Sequence, residues 1–416
     1  MSNLYTAKLN AGVGPFAPYL HTDAATAIAS APTGYQMLGD IADERVYKPP
    51  QEPGTPAFGL ATATGSQLTF RVDNIDRIKS MYVELTVNAP GGTPGTYNRL
   101  QQCAPLRFFE AVTLDYQQQT FHPSDFMGLL VKALSHATAE KQADLLSEYY
   151  YSQSAGVRDT LALSTQTFRV PIPTYWFEQL EKAPYSRALP GWIELKLTMG
   201  RLANILETDY TNPTMTLTGA PRLIVEFETY SSDTKMYMQS LTLNSAQGLV
   251  TLVQDWQNAV ISASIGAGTT NSGALAITGL RRETPIFWVL IRPASFTTNY
   301  TTGFAQFDYN NLPNFVTLAY DNGTLLERVD VRHLLREFFK RQCTASEWPV
   351  IPINFAQVLE ESGHLTSGSV DNNLLTNLTV TLEWTAATTI NLHAQVYAPT
   401  YNQVQQYNGQ LVKVAN

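Results

Sequence analysis

Val-Thr-Leu-Asp-Tyr at residues 112–116 is followed, after a short polar link, by Asp-Phe-Met-Gly-Leu-Leu-Val-Lys-Ala-Leu at residues 125–134. Much later in the chain, Val-Thr-Leu-Ala-Tyr at residues 316–320 precedes Asp-Val-Arg-His-Leu-Leu-Arg-Glu-Phe-Phe at residues 330–339. Both copies have the pattern of a strand, a turn and a short helix with a pair of leucines. Recurrence of such a pattern indicates duplication of a larger unit. The sequence therefore predicts two copies of one β-rich unit.

The two predicted helices begin in the same way. Asp125 and Asp330 stand where a side chain can cap a helix by accepting an otherwise unpaired N–H group of the first turn. Leu129-Leu130 and Leu334-Leu335 are then equivalent core contacts. In the first copy we expect the main helical segment of the chain over residues 125–153, with a second, more polar helix at residues 139–151.

Outside these helices the chain is patterned as strands. Alternation of apolar and polar residues marks half-buried strands, whereas the unbroken apolar run at residues 286–291 marks a strand buried on both faces. The remaining predicted strands lie at residues 68–72, 81–87, 108–116, 167–173, 192–197, 222–230, 350–355, 378–384 and 390–397. Together with the motif strands this gives each unit about eight short strands. Eight strands in two packed sheets form a jelly roll, so the predicted fold is all-β: two tandem eight-stranded jelly rolls with short helices in connecting loops.

The sequence predicts that the chain has three parts. Residues 1–60 are punctuated by many of them and are predicted to be an extended N-terminal arm, since proline fixes φ and removes a hydrogen-bond donor. A polar stretch at residues 231–235 suggests the boundary between a first jelly roll at 61–232 and a second at 233–416. Residues 89–95 and 261–275 are predicted to be loops because they are rich in small and turn-forming residues.

Composition restricts the class of function. A chain of 416 residues exceeds the usual size of a single core, in agreement with two units. The net charge is −8 and no long basic run occurs, so we do not expect sequence-specific binding of nucleic acid. Charged residues make up only 15% of the chain, below the usual ~25%, and such weakly charged surfaces suit packing against other protein. The N-terminal sequence lacks the pattern of a signal peptide, and synthesis and folding in a reducing cytoplasm are expected.

No stretch of sequence carries a recognisable chemistry. The six histidines show no metal-binding spacing, and Cys103 and Cys343 are expected to be separate buried thiols. Glu360-Glu361 is an adjacent pair whose side chains would diverge in a strand, and residues 73–76 lack the full pattern of a calcium loop. We therefore predict no enzyme activity, no catalytic, cofactor-binding or metal-binding residues, and no cofactor.

The tryptophans leave one alternative open. Trp176, Trp192, Trp288 and Trp384 lie in predicted strands, and we expect them in the sandwich cores. Tryptophans exposed in a groove beside convergent carboxylates would instead indicate a carbohydrate-binding or glycosidase-like β-sandwich protein. Such a protein has no need for the same order of elements twice, so the repeat favours the first interpretation.

Several segments, in the same order along the chain, resemble the double jelly-roll major capsid proteins of tailless icosahedral double-stranded-DNA viruses, the lineage of large DNA viruses, virophages and related phages. The segments are Val170–Phe177, Ala188–Pro190, Pro285–Val289, Ser367–Ser369 with Asn372-Asn373, and Tyr397–Asn402 with Gly409. The Phe-Ser-Arg that usually follows the asparagine near residue 372 is missing. The resemblance spans roughly residues 65–412.

This resemblance implies a homotrimer whose six jelly rolls form a pseudo-hexameric capsomer of an icosahedral capsid. The implied partners are neighbouring capsomers, minor capsid or cement proteins and vertex proteins, with an internal membrane possible beneath the shell, and the implied location is the virion. A ring of three copies uses heterologous interfaces that close on themselves. A minor capsid protein of the same fold is a second alternative.

Overall fold

The structure is a computed structural model of the whole chain. It describes residues 42–47, 56–60, 64–73, 75–101, 104–116, 119–125, 155–172, 185–189, 191–230, 232–244, 249–278, 280, 283–294, 311–320, 324–341, 350–355, 369–372 and 377–413. The predicted helices at 125–153 fall almost wholly outside this set, as do Cys103, Cys343 and Glu360-Glu361.

Strands dominate the described residues. In the first part of the chain they are β1 Ala42–Tyr47, β2 Gln67–Asp73, β3 Arg77–Val87, β4 Gly91–Thr93, β5 Asn98–Leu100, β6 Phe109–Tyr116, β7 Gln119–Asp125, β8 Gln166–Pro171, β9 Trp192–Met199, β10 Leu206–Thr208, β11 Thr211–Thr214 and β12 Arg222–Glu228. In the second part they are β13 Leu249–Ile265, β14 Asn271–Ala276, β15 Glu283–Thr284, β16 Ile286–Pro293, β17 Phe315–Tyr320, β18 Thr324–Asp330, β19 Val350–Asn354, β20 Val370–Asp371, β21 Thr379–Glu383, β22 Leu392–Tyr407 and β23 Gln410–Lys413.

Helices are short and lie between strands. They are α1 Ala104–Arg107, α2 Ala155–Ala162, α3 Leu202–Ile205, α4 Ser232–Gln239 and α5 Val331–Arg341, with a 3-10 turn at Ser186–Ala188 and a π turn at Ser240–Asn244. Helix α4 and the π turn connect β12 to β13 and so link the two halves of the chain.

Two pairs of four-stranded antiparallel sheets repeat the same order. In the first half the sheets are β1-β12-β3-β8 and β2-β9-β6-β7. In the second half they are β13-β22-β16-β19, with β23 added beside β22, and β14-β21-β17-β18. Taking the eight main strands of each half in chain order, both halves pair strands 1-8-3-6 in one sheet and 2-7-4-5 in the other. We refer to them as the first and the second sandwich.

Each sandwich buries its own apolar core. In β9, Ile193, Leu195 and Leu197 point into the first core, while the residues between them face outward. This is the period-two pattern of a strand with one covered face. In β16 every residue from Ile286 to Arg292 is buried, so the continuous apolar run does form a strand covered on both faces, as predicted.

The strand–turn–helix motif differs from its prediction in one respect. The polar link before Asp125 is itself strand β7, which pairs with β6 as a hairpin. In the second copy β17 and β18 form the equivalent hairpin, and α5 follows directly. Asp125 and Asp330 are the last residues of β7 and β18, so both copies have the same form as far as the described residues reach. The sequence did not predict β7 as a strand, because a strand at the edge of a sheet can contain few apolar residues.

Two of the predicted loops also contain strands. Gly91–Thr93 pairs with β11, and residues 261–275 hold the end of β13 and most of β14, with a tight turn around the positive-φ Gly268. Small and polar residues are compatible with strand pairing, because the backbone supplies the hydrogen bonds.

Part of the predicted arm belongs to the first sandwich. Residues 42–47 form β1, which pairs with β12 at a sheet edge, and Phe58 is buried in the first core. Proline excludes regular pairing only where an N–H donor is needed, and the run from Ala42 to Tyr47 contains none. Residues 1–41 lie outside the described part. The domain boundaries at 60/61 and 232/233 remain predictions.

Candidate functional site

The repeated hairpins occupy matching edges of the two sandwiches. Strands β7 and β18 are each the last strand of their sheet. Both carry a one-residue bulge, at His122–Pro123 in β7 and at Leu326 in β18. Bulges and prolines are devices that blunt a sheet edge and prevent uncontrolled pairing. The duplicated motif therefore creates two equivalent edges whose contacts are restricted.

The second hairpin is tied to its sheet by specific polar contacts. The Asp330 carboxylate accepts a hydrogen bond from the N–H of Arg332 at 2.7 Å and caps α5, as predicted. Arg328 donates to Glu383 at 2.8 Å and lies over the Phe315 ring at 3.9 Å. The hydrogen bond from Arg328, followed by one from Thr317, lowers the pKa of the Glu383 carboxyl. The outer part of β18 nevertheless leaves large apolar side chains in solvent: Leu325 is 60% exposed and Leu326 is 43% exposed.

The first hairpin contacts the end of the chain. Strand β7 lies beside β13 of the second sandwich. The Tyr116 hydroxyl, from β6, donates to the carbonyl of Gly409 at 3.2 Å. Gly409 and Asn408 both have positive φ and form the two-residue turn between β22 and β23, the arrangement that Asn-Gly favours. Burial raises the pKa of Tyr116 to about 12, so its hydroxyl stays protonated and remains a donor at physiological pH.

A buried amide also clamps the two sandwiches together. The Gln406 side chain of β22 accepts from the N–H of Tyr185 at 2.9 Å and donates to the carbonyl of Tyr185 at 2.6 Å. Both residues are almost fully buried. Val404 and Leu411, on β22 and β23, belong to the core of the first sandwich. The C-terminal hairpin of the chain is therefore part of the packing of the first sandwich.

Asp76 stabilises the same region through ion pairs and a hydrogen bond. Its carboxylate, only 4% exposed, accepts from Arg187 at 3.0 Å, from Lys235 at 3.1 Å and from the N–H of Tyr230 at 2.9 Å. Lys235 belongs to α4, the connection between the sandwiches. Buried carboxylates are tolerated when charge and hydrogen bonds satisfy them. Asp76 therefore anchors the start of the connecting helix to the first sandwich.

A second buried carboxylate supports one end of the first sandwich. Glu207 accepts from Arg99 at 2.6 Å and from Arg158 at 2.9 Å, and it joins β10, β5 and α2. Burial opposes ionisation of Glu207, but the hydrogen bonds from Arg99 and Arg158 outweigh it and lower the pKa of this carboxyl. The triad is a structural connection between three elements that the sequence separates widely.

The tryptophan prediction is correct for two residues and wrong for a third. Trp288 and Trp384 are 3% and 6% exposed. Trp192 is 46% exposed, since it lies on the outward face of β9 opposite the side of Ile193. One face of its ring is covered by the Arg71 guanidinium at 4.7 Å, and its indole N–H donates to Glu194 at 3.0 Å. Trp176 lies outside the described residues. The strict alternation of β9 by itself indicates an outward position for Trp192. The prediction placed it inward because tryptophan usually prefers a core.

The other singled-out residues do not converge. His333 is exposed on α5 and His393 lies in β22, while His122 lies in β7; His21, His136 and His364 fall outside the described set. Within the residues that the structure places, no three histidine, cysteine or acidic side chains group as metal ligands. Asp73 ends β2, and Ile75 and Asp76 directly precede β3, as expected for a turn. In the same part of the chain, no helix has the length and apolarity needed to cross a membrane.

Sequence comparison and structure comparison give different results. No family model and no curated protein matches the sequence. The structure resembles PBCV-1 VP54, fitted into a cryo-EM reconstruction of the virophage Sputnik, with a TM-score of 0.67, 14% identity and coverage of 91% of this chain and 98% of that chain. It resembles the Faustovirus major capsid protein with a TM-score of 0.66 and 10% identity, over 91% and 92% of the two chains.

The fold is a double jelly roll. The mavirus major capsid protein shares it with a TM-score of 0.55, 11% identity and coverage of 92% of this chain and 95% of that chain. Both sandwiches and their connection are matched together, because the coverage extends over nearly the whole of each chain. The predicted fold class of two tandem eight-stranded jelly rolls is confirmed.

The segments that carried the resemblance lie at structurally important places in this double jelly roll. Pro285–Val289 contains the start of β16, where the residues from Ile286 to Val289 are all buried. Asn372 donates to Thr284 at 2.8 Å beside the β15–β20 pair. The closing Tyr397–Asn402 segment forms the middle of β22, and Gly409 accepts the hydrogen bond from Tyr116.

Proposed function

We propose that this protein is the major capsid protein of an icosahedral double-stranded-DNA virus and acts as a structural building block without catalytic activity. The observation that carries the proposal is the identical strand order of the two sandwiches within one chain. Three such chains present six similar sandwiches, which allows a trimer to fill a hexagonal site in a shell. The similarity to the Faustovirus and mavirus major capsid proteins supports the same conclusion.

The finer parts of the proposal concern the partners. The protein forms a homotrimer by heterologous contacts that close into a ring. The trimer packs beside neighbouring capsomers and is joined by minor capsid, cement and vertex proteins, with a membrane possible beneath the shell. The low content of charged residues supports the proposal that large surfaces of the protein contact other protein subunits. The net charge of −8 supports a shell protein that does not bind the genome directly. Synthesis takes place in the host cytoplasm and the final location is the virion.

The test is the oligomeric state of the purified chain. Sedimentation should give a particle of three times 46.0 kDa, and negative-stain images should show hexagonal outlines. A stable monomer that binds glycans would overturn the proposal in favour of the carbohydrate-binding alternative.

A further inference from the structure

The peptide bond between Asn212 and Pro213 lies in a strained part of the backbone. Asn212 has a φ of 52° and is directly followed by proline, in the one Asn-Pro pair of the sequence. The ring of a proline restricts the residue before it, which normally has an extended backbone with negative φ. Asparagine tolerates positive φ better than most residues, but here positive φ is combined with a following proline. Such a conformation persists only where the surrounding structure imposes it.

The neighbouring residues prevent this strain from relaxing. Strand β11 pairs with β4 on both sides of a bulge that consists of Asn212 and Pro213. Gly92 of β4 approaches so closely that a Cβ atom on it would lie 3.2 Å from the Asn212 carbonyl oxygen. Pro213 is buried, whereas Asn212 is exposed. The backbone is therefore fixed on both sides of the bond, while the asparagine side chain lies in solvent.

Asparagine before proline has a restricted chemistry. Elsewhere, the backbone nitrogen of the following residue can attack the side-chain amide of an asparagine, which closes a cyclic imide and releases ammonia. Pro213 lacks the N–H group that this reaction needs. The route that remains for Asn212 is attack by its own side-chain Nδ2 on its own carbonyl carbon, which also closes a five-membered ring.

We propose that the chain cleaves itself between Asn212 and Pro213. The bond from Nδ2 to the Asn212 carbonyl carbon forms, and the bond from that carbon to the Pro213 nitrogen breaks. The electron pair of the broken bond stays on the Pro213 nitrogen, which takes up the proton lost by Nδ2 and becomes a new amino terminus. Water then opens the C-terminal succinimide of the first fragment. Each chain reacts once and on itself, so the inference goes beyond the proposed structural function and does not depend on it.

The fold favours the reaction because cleavage relieves the strain. Once the bond to Pro213 breaks, Asn212 is no longer restricted by a following proline ring. Strain that is present in the reactant and relieved on the way to the product lowers the barrier between them. The bulge in β11 therefore makes this bond more reactive than the same two residues in a relaxed chain.

The two fragments should stay together after cleavage. Strand β12 of the second fragment pairs with β1 and β3 of the first. Met215 and Leu217, close to the new amino terminus, are buried in the first core. The cleaved protein therefore keeps both sandwiches, and it gains freedom where β11 pairs with β4. The reaction loosens one end of the first sandwich without unfolding it.

The first experiment follows the purified full-length protein over days by denaturing electrophoresis and intact-mass measurement. We expect two fragments, residues 1–212 and 213–416. Their masses should sum to the mass of the intact chain, or to that mass plus one water after hydrolysis. The second fragment should begin with Pro-Thr-Met on N-terminal sequencing. Under native conditions the cleaved protein should elute from a sizing column with the intact protein.

Variants then test the role of each residue. Asn212→Asp keeps a side chain that tolerates positive φ but removes the attacking nitrogen, so fragment formation at neutral pH should fall at least roughly tenfold. Pro213→Ala restores the backbone N–H, so Asn212 should deamidate in an uncleaved chain, which is detected as conversion of its amide to a carboxyl group. Asn408→Asp changes another asparagine with positive φ, and this matched control should cleave like the wild type.

Denaturation separates a bond activated by the fold from ordinary asparagine chemistry. In concentrated urea the backbone at Asn212 relaxes, and cleavage should slow at least roughly tenfold relative to the folded chain. The proposal is overturned by a wild type that gives no fragments, by fragments that persist in Asn212→Asp, as a contaminating protease would produce, or by cleavage that is equally fast in urea. Because the oligomeric state does not enter these measurements, any of these results leaves the capsid proposal standing.

Discussion

At the scale of single residues, a few buried polar groups hold the two sandwiches to each other and to the connecting helix. Asp76, Tyr185 and Gln406 are each at most 4% exposed and bind groups from distant parts of the sequence. The rings of Tyr185 and Tyr230 stack at 6.1 Å between these contacts. Buried polar groups of this kind are costly when unpaired, so they specify one arrangement of the surrounding elements.

Asp76→Ala tests the importance of the buried carboxylate. The substitution leaves Arg187, Lys235 and the N–H of Tyr230 without their acceptor. Because the two cations are partly exposed, we expect a loss of about 2–4 kcal/mol in the free energy of unfolding, measured by denaturant titration. Arg169→Ala removes a cation that is 62% exposed and paired with Glu84, and this control should cost less than about 1 kcal/mol. Equal losses in the two variants would show that burial at Asp76 has no special role.

His393 should make the protein sensitive to acid. Burial, and then the neighbouring Arg292 guanidinium, lowers the pKa of His393 to about 4. Arg292 is itself held by a hydrogen bond to Gln395 at 2.8 Å, and β13 supplies Ser264 on the other side. Between the pKa of ~6.5 in the unfolded chain and the pKa of about 4 in the folded chain, the imidazole is protonated mainly in the unfolded chain. The stability contributed by neutral His393 is complete above pH ~6.5 and is lost as the pH falls toward about 4.

The measurement is the free energy of unfolding across that pH range. In His393→Gln, the slope of the free energy of unfolding against pH between pH ~6.5 and about 4 should fall by the equivalent of up to one bound proton. An unchanged slope in His393→Gln would contradict the assignment.

At the scale of elements, the duplicated hairpin is the recurring unit of the molecule. It supplies β6–β7 and β17–β18 to equivalent places in the two sandwiches. After β18, Val331 is fully buried at the start of α5, and Leu334 and Leu335 pack partly buried against the second core. The helix therefore closes one side of the second sandwich. The corresponding prediction for Leu129-Leu130 falls outside the described residues and stays a prediction.

Leu334→Ala should destabilise the second sandwich. Removing a leucine side chain from a core costs about 2–5 kcal/mol, and the partial burial of Leu334 places the expected loss near the lower end, at about 2 kcal/mol. Thermal unfolding of the variant and the wild type measures the difference. Leu163→Ala, at an exposed site, should change the midpoint little. No shift for Leu334→Ala would mean that α5 is peripheral to the core.

At the scale of the whole molecule, the sandwiches are not independent, because the C-terminal hairpin of the second contributes to the core of the first. Val404 and Leu411 pack there, and Tyr116 and Tyr185 bind the same hairpin. Two units that share core residues should unfold together. We therefore expect one calorimetric transition for the wild-type chain.

Leu411→Asp should separate the two unfolding events. The charge would enter the first core at a side chain only 2% exposed, and detachment of the hairpin is the least costly response. We expect two resolved transitions in the calorimetric scan of this variant. Val412→Asp alters the adjacent, half-buried side chain and should retain one transition. Two transitions already present in the wild type would contradict the coupling.

The sequence by itself determined the strand content, the duplication and the jelly-roll class, because period-two alternation and a repeated motif are local signals. It placed the buried β16 and the Asp330 cap for the same reason. It misplaced β7, β4 and Trp192, since polar edge strands and outward aromatic residues look like links and cores when neighbours are unknown. Only the tertiary structure decided how the sandwiches meet, because the Gln406–Tyr185 hydrogen bonds and the Asp76 contacts join residues far apart in the chain. Such contacts arise from the packing of whole sheets, and no short stretch of sequence records them.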